Sequence, residues 1–251
     1  MIKIGTTRYA DNNFQILPQG LVMRVAVLFY GRILHFDKKL LLKSLDCRHN
    51  IDIFYSCDGE PAELVDDFKD LYEPVEVNNE KIEYSVDCSG YTKGIENIDN
   101  MFRHFINLKR VFELLTKHIS KTGIIYDLVI VTRLDLQIIS LELILPEQNT
   151  VYIPYGEDYC GLNDRFAMGT IDTIRHYTSI FDNCKYLLDN NLAILQPEIL
   201  TRENIKYCKI DIKRFSIIYQ LYGRENMWCN GEYTEDSITK NPPLETLHSN
   251  L

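Results

Sequence analysis

The sequence predicts a single α/β domain, a Rossmann-type mixed sheet flanked by helices. Two patterns carry that prediction. Through the N-terminal half, apolar β-branched runs alternate with helical segments, which is the β-α-β-α order of a parallel sheet with crossover helices. A long amphipathic helix then leads into an unbroken apolar run, Leu128–Val131, the mark of a central strand buried on both faces. The 251 residues suit one large domain with a sizeable core.

The elements follow in order. Met23–Tyr30 is a strand that stops at Gly31-Arg32. A helix comes next, with Asp37 as its cap and Leu40, Leu41, Leu42 and Leu45 inside. Ile51–Ser56 is a second strand ending in Cys57-Asp58-Gly59, and Pro61 opens a helix carrying Leu64, Val65, Phe68 and Leu71. Residues 75–99 are polar, with short strands expected at Val75–Val77 and Ile82–Val86. The clearest helix has Met101, Phe102, Phe105, Leu108, Phe112, Leu115 and Ile119 at spacings of three and four, and Gly123 ends it. That stripe is core, not a cofactor site. Tyr126–Leu136 is the central strand and Val151–Pro154 another. Ala167-Met168-Gly169 reads as a small-residue turn. Thr170 caps a helix through Ile171, Ile174, Tyr177, Ile180 and Phe181, and Pro197 starts one with Glu198 and Leu200. Residues 208–221 alternate and read as a late strand or hairpin.

Composition excludes several classes. A net charge of −9 disfavours polynucleotide binding. The seven Cys are widely spaced with no C-x-x-C, so neither a zinc site nor a disulfide framework is expected. No apolar run reaches the roughly 18 residues of a membrane span, and the first residues lack the pattern of a signal peptide; a cytoplasmic location is expected. Glycine-rich nucleotide loops, G-x-S-x-G, H-E-x-x-H and kinase signatures are missing from the sequence.

The most informative feature is the abrupt change from Val131 to Thr132-Arg133-Leu134-Asp135. In open α/β sheets, ligands bind beyond the carboxyl ends of the strands. Arg133 offers a fork of donors for phosphate, and Asp135 offers oxygen to Mg²⁺ or Mn²⁺. Residues i and i+2 also share a strand face, so a structural Arg133–Asp135 pair is equally easy. Asp164 lies in Gly161–Thr170, GLNDRFAMGT, either near a substrate or in a capped turn. Gly31 lets a ligand approach the backbone. Glu198 is a candidate site acid or simply a helix N-terminal acid favoured by the dipole. His104 and His118 are read as surface residues. His248, in the tail, is a candidate metal ligand that would close over the site.

The segments VAVLFYGRI, IDIFYSCDGE, YDLVIVTRLDL, VYIP, NDRFAMGT and QPEIL together resemble glycosyltransferases of the GT-A type over roughly residues 23–225. The nearest likeness is to glycosyltransferase-like proteins of large DNA viruses and bacterial polysaccharide clusters. The resemblance implies a nucleotide-binding half (about 20–136), an acceptor half (about 137–230) and a polar tail (231–251). It implies a UDP- or GDP-sugar donor, a glycan acceptor, and a divalent Mn²⁺ or Mg²⁺ on Asp135, the last acid of a D-x-D motif. Arg133 stands where that motif has its first Asp. Gly31, Arg32, Asp58, Arg133 and Asp135 would bind the donor, and Asp164 would be the general base. For a viral protein the location would be the host cytoplasm. Two other readings stay open: a nucleotidyltransferase-like phosphate-handling enzyme, and a non-catalytic nucleotide- or sugar-binding module of the same fold.

Overall fold

The computed structural model describes residues 21–33, 49–141, 143–221 and 228–230. The helix expected after Asp37, residue His248 and the tail lie outside them. Among the described residues no helix is long and apolar enough to cross a membrane.

The mixed, helix-flanked sheet expected from the sequence is what the chain builds. Its strands are β1 (Arg24–Tyr30), β2 (Asn50–Ser56), β3 (Glu76–Asn78), β4 (Leu128–Arg133), β6 (Thr150–Pro154), β7 (Phe166–Gly169) and β8 (Asp211–Phe215), separated in sequence by β5 (Leu136–Ser140). They lie in the order β3-β2-β1-β4-β7-β6-β8. β3, β2, β1 and β4 are mutually parallel, β7 runs antiparallel between β4 and β6, and β8 is parallel to β6. β5, β9 (Ile218–Leu221) and β10 (Trp228–Asn230) form a separate antiparallel sheet.

Strand alternation sends the two faces of the large sheet to two cores. Ala26, Leu28, Tyr30, Val129, Val131 and Ile153 point to one core, with the long helix α2 (Ile98–Thr122), α3 (Ile171–Thr178), α4 (Ile180–Asp189) and α5 (Pro197–Tyr207). Val25, Val27, Phe29, Tyr55, Ile130 and Met168 point to the other. Helix α1 (Ala62–Tyr72) and residues of the 134–144 and 215–217 segments cover that second face.

Helix α2 forms where its stripe predicts. The Asn97 side chain accepts the Asn100 N–H at 3.0 Å, and Gly123, at φ 70°, returns its N–H to Ile119. Losing that cap in Asn97→Ala is expected to cost about 1 kcal/mol, a fall in Tm of roughly 2–4 °C for a chain of this size, readable by calorimetry.

Several expectations need correction. Ile82–Val86 is not a strand: the Ile82 N–H goes to the Asp58 carboxylate (2.5 Å) rather than to a neighbouring backbone. The strand expected over Tyr126–Leu136 ends at Arg133. The Leu134 N–H donates to the Tyr30 carbonyl (3.1 Å), the chain turns, and β5 leaves the large sheet for the small one. Ala167-Met168-Gly169 is no turn but buried strand β7. The helix after Thr170 breaks at Ser179, whose hydroxyl and N–H both take the His176 carbonyl. β8 and β9 are not a hairpin, because each joins a different sheet.

Candidate active site

Strand order reverses between β1 and β4, since β2 and β3 extend from one side of β1 and β4 lies on the other. The crevice beyond the carboxyl ends of two such strands is where open α/β sheets bind ligands. Tyr30 and Arg133 are partners at that end. β7 begins there too, because it runs antiparallel to β4, and the Arg133 N–H donates to the Arg165 carbonyl at 3.0 Å. Topology therefore carries Asp164 and Arg165 to the place where β4 turns polar.

Asp164 is 5% exposed. Its carbonyl accepts the hydroxyls of two buried tyrosines, Tyr30 at 2.8 Å and Tyr177 at 3.2 Å. Its carboxylate lies 3.5 Å from His104 Nε2. Burial pushes the Asp164 carboxyl up, Arg133 opposes that rise and Asp135 adds to it. His104 is pushed well down, by burial first and then by Arg133 and Arg165, so its imidazole is neutral. Neither tyrosine gives up its proton, because burial raises both.

Arg133 and Asp135 form a fork: Arg133 Nε donates to Asp135 Oδ1 at 2.9 Å and its amino group to Oδ2. Asp135 and Asp164 hold the Arg133 charge against its desolvation. Each Asp135 oxygen thus accepts one hydrogen bond and keeps a second lone pair. Among the described residues no group of three or more His, Cys, Asp or Glu is placed to hold a metal ion. At a phosphate-binding site one or two carboxylates of the chain are enough, since substrate phosphates and water supply the remaining oxygens.

The segment before Asp164 is a tight loop with left-handed backbone at Gly156 (φ 92°), Glu157 (φ 53°), Tyr159 (φ 39°) and Cys160 (φ 66°). Such non-glycine residues cost on the order of 1–3 kcal/mol each and persist only when their surroundings hold them. Here Arg214, on β8, donates to the Ile153 and Pro154 carbonyls (3.1 and 2.6 Å) and to Asp158 (2.8 Å). Asp158 accepts the Asn163 N–H (2.9 Å), and the Asn163 amide oxygen accepts the Arg165 N–H (3.0 Å). From α5's side, Gln196 donates to the Tyr159 carbonyl (2.6 Å) and Leu162 donates to the Glu198 carbonyl (2.9 Å). Gly161 lies so close that a Cβ there would sit 2.0 Å from the Glu198 backbone.

This contact brings Glu198 into the site. It is 7% exposed. Its carboxyl is pushed up by burial and then by Asp164, with Arg165 opposing. Arg165 itself ion-pairs with Glu157, both side chains being buried.

The residues expected from sequence thus divide. Arg133, Asp135, Asp164 and Glu198 are brought together. Gly31 (φ 97°) and exposed Arg32 follow β1 directly at the same sheet edge. Asp58 lies at the end of β2, and its carboxylate is engaged by the Ile82 N–H and by Arg103. His104 corrects the surface reading: it lies on the shoulder of the α2 stripe, three residues after Met101 and four before Leu108, and its ring packs edge-on against Tyr30 at 4.9 Å. His118 is half-buried, its ring against Phe54. Tyr30, Tyr177, Glu157 and Arg214 are further members that sequence reading missed. Their pairings depend on contacts between distant segments, and only the apolar-to-polar switch at each strand end hints at them.

The chain matches no protein-family model and no curated protein sequence. Among solved structures it is similar to a putative nucleotide-diphospho-sugar transferase from Desulfovibrio desulfuricans G20, at 11% identity over 78% of this chain and 80% of that one, with a TM-score of 0.41. A likeness of that size carries no argument about function.

Proposed function

We propose that this chain is a glycosyltransferase that moves a sugar from a nucleotide-sugar donor, a UDP- or GDP-sugar, to a hydroxyl of a glycan acceptor. The observation that carries this reading is Asp164: a buried carboxylate fixed through its own backbone by Tyr30 and Tyr177, at the carboxyl ends of β1 and β4, with Arg133 beside it. A carboxyl raised above its ordinary range is a better proton acceptor at neutral pH than an exposed one.

The acceptor hydroxyl gives its proton to the Asp164 carboxylate, and its oxygen bonds to the anomeric carbon. The bond from that carbon to the donor's phosphate oxygen breaks, and the electron pair leaves with the nucleoside diphosphate. Arg133 faces the developing charge. Asp135 takes two of its five N–H donors, which leaves others for a phosphate oxygen. Neutral His104 fills the space beside Asp164 without adding a cation that would quench the base. A base acting on the acceptor suits an inverting displacement. A divalent ion, if bound, would be held by Asp135 and would supply positive charge to the diphosphate; the steps above use the chain's own residues alone.

The engaged state of Asp135 also favours a second reading, a nucleotide- or sugar-binding module without turnover. One experiment addresses both. Melting temperatures are measured with UDP, GDP, CMP and their sugar conjugates, with and without Mn²⁺. One nucleoside diphosphate is expected to stabilise the chain without needing Mn²⁺, and Arg133→Ala should lose that shift. Ligand at a hundred times its Kd stabilises by about 2.7 kcal/mol, ample to detect. Binding without turnover selects the binding module, and no shift with any nucleotide removes both readings.

A further inference from the structure

The charges around Asp164 do not balance. Asp135 is matched by Arg133, Glu157 by Arg165, and Asp158 by Arg214. Among the described residues neither Asp164 nor Glu198 has such a partner of its own, and His104, 3.5 Å from the Asp164 carboxylate, is neutral. Both carboxyls are more than nine-tenths buried, on segments locked together by the Leu162–Glu198 hydrogen bond and the Gly161 contact. Two ionised carboxylates buried on adjoining segments, with the charge of one acting on the other, repel, and such a pair keeps one proton. The neighbours decide which carboxyl keeps it. Asp164 faces Arg133, with Asp135 behind, His104 on α2, and the Tyr30 and Tyr177 hydroxyls on its carbonyl. Glu198 faces Asp164 and Arg165, with the Gln196 side chain alongside. The Asp164 charge falls on Glu198 and favours its neutral form.

On the transferase reading above, we propose that Asp164 and Glu198 form a two-carboxyl centre carrying a single proton. In it Asp164 is ionised and receives the acceptor's hydroxyl proton. Glu198 is protonated and donates a hydrogen bond to the bound sugar. Glu198 transfers no proton in the step; it orients the substrate and keeps a second negative charge away from the base. The centre therefore suits a neutral polyhydroxyl acceptor and disfavours an acidic sugar, whose carboxylate would meet Asp164.

Infrared difference spectroscopy of the ligand-free protein tests the centre independently of turnover. A protonated carboxylic acid band is expected near neutral pH in the wild type. It should be lost in Glu198→Gln. In Asp164→Asn it should persist only to lower pH, because the neighbouring charge is gone. No acid band at neutral pH in the wild type would overturn the proposal, as would a band that survives in Glu198→Gln. The pH–rate profile gives the second readout. Glu198→Gln keeps a neutral donor at every pH, so its alkaline limb is expected to move up by about one pH unit or more. A limb that does not move would assign Glu198 a structural role only. An intact acid band in a protein that turns over no nucleotide sugar would leave the centre standing and remove the transferase reading.

Discussion

Gly161→Ala is expected to be the most damaging small substitution in the molecule. The added methyl would lie 2.0 Å from the Glu198 carbonyl carbon and oxygen and 2.4 Å from the Ile199 nitrogen. These are backbone atoms in the first turn of α5, so no rotamer change relieves the clash. The loop must move off the helix, which breaks the Leu162–Glu198 hydrogen bond and loosens the left-handed residues Glu157, Tyr159 and Cys160 that depend on it. Overpacking usually costs 1–3 kcal/mol, and a rigid backbone neighbour puts this case at or above about 3 kcal/mol. For a chain of this size that is a fall in Tm of roughly 6–12 °C. Gly90→Ala is the control, since a methyl there meets nothing within 4 Å. Equal melting temperatures for the two variants would mean that the loop does not pack on α5 as described.

Asp164→Asn is expected to do the opposite to stability: it should raise the melting temperature at pH 8. Burial raises the Asp164 and Glu198 carboxyls in the folded chain, whereas in the unfolded chain they ionise near pH 4. Between those values the folded chain binds more protons than the unfolded chain, so stability falls as pH rises through the window. At pH 8 both carboxyls are ionised and the cost is complete; it vanishes only below about pH 4. Asparagine carries no charge and also relieves Glu198. The stability gap over wild type should therefore be largest at pH 8 and close toward pH 4. His104 acts from the acid side, because its folded value is lowered. Below about pH 6.5 the unfolded chain takes up a proton that the folded chain refuses, and stability declines in both proteins alike. Loss of stability in Asp164→Asn at pH 8 would instead make Asp164 a structural counter-ion of Arg133. A group that costs stability where it stands is the mark of a site kept for chemistry.

Much of this was legible in the sequence, for physical reasons. The α2 stripe, the buried run Leu128–Val131, the Thr170 cap and the Pro197 helix start are local signals, each decided within one or two turns of chain. They were enough to predict the alternating α/β order and the polar end of β4. What local signals do not carry is where a segment pairs. The stretch Phe166–Gly169 has the small residues of a turn, but the antiparallel slot between β4 and β6 makes it a buried strand. Ile82–Val86 has strand composition, but Asp58 takes its leading N–H. The site divides the same way. Arg133 and Asp135 announced themselves at a strand end. The partners that give Asp164 its character are Tyr30, His104, Tyr177 and Glu198, which lie far apart in sequence and meet only through the sheet order.

The role of Asp164 is tested most directly by turnover of the donor that stabilises the protein, followed as release of nucleoside diphosphate with and without glycan acceptor. Wild type is expected to release it, faster with a productive acceptor. Asp164→Asn should bind the same nucleotide with an undiminished thermal shift and turn over about 10²–10⁴-fold more slowly, the usual contribution of a positioned general base. Equal turnover by the two proteins would contradict the account, as would loss of nucleotide binding together with turnover.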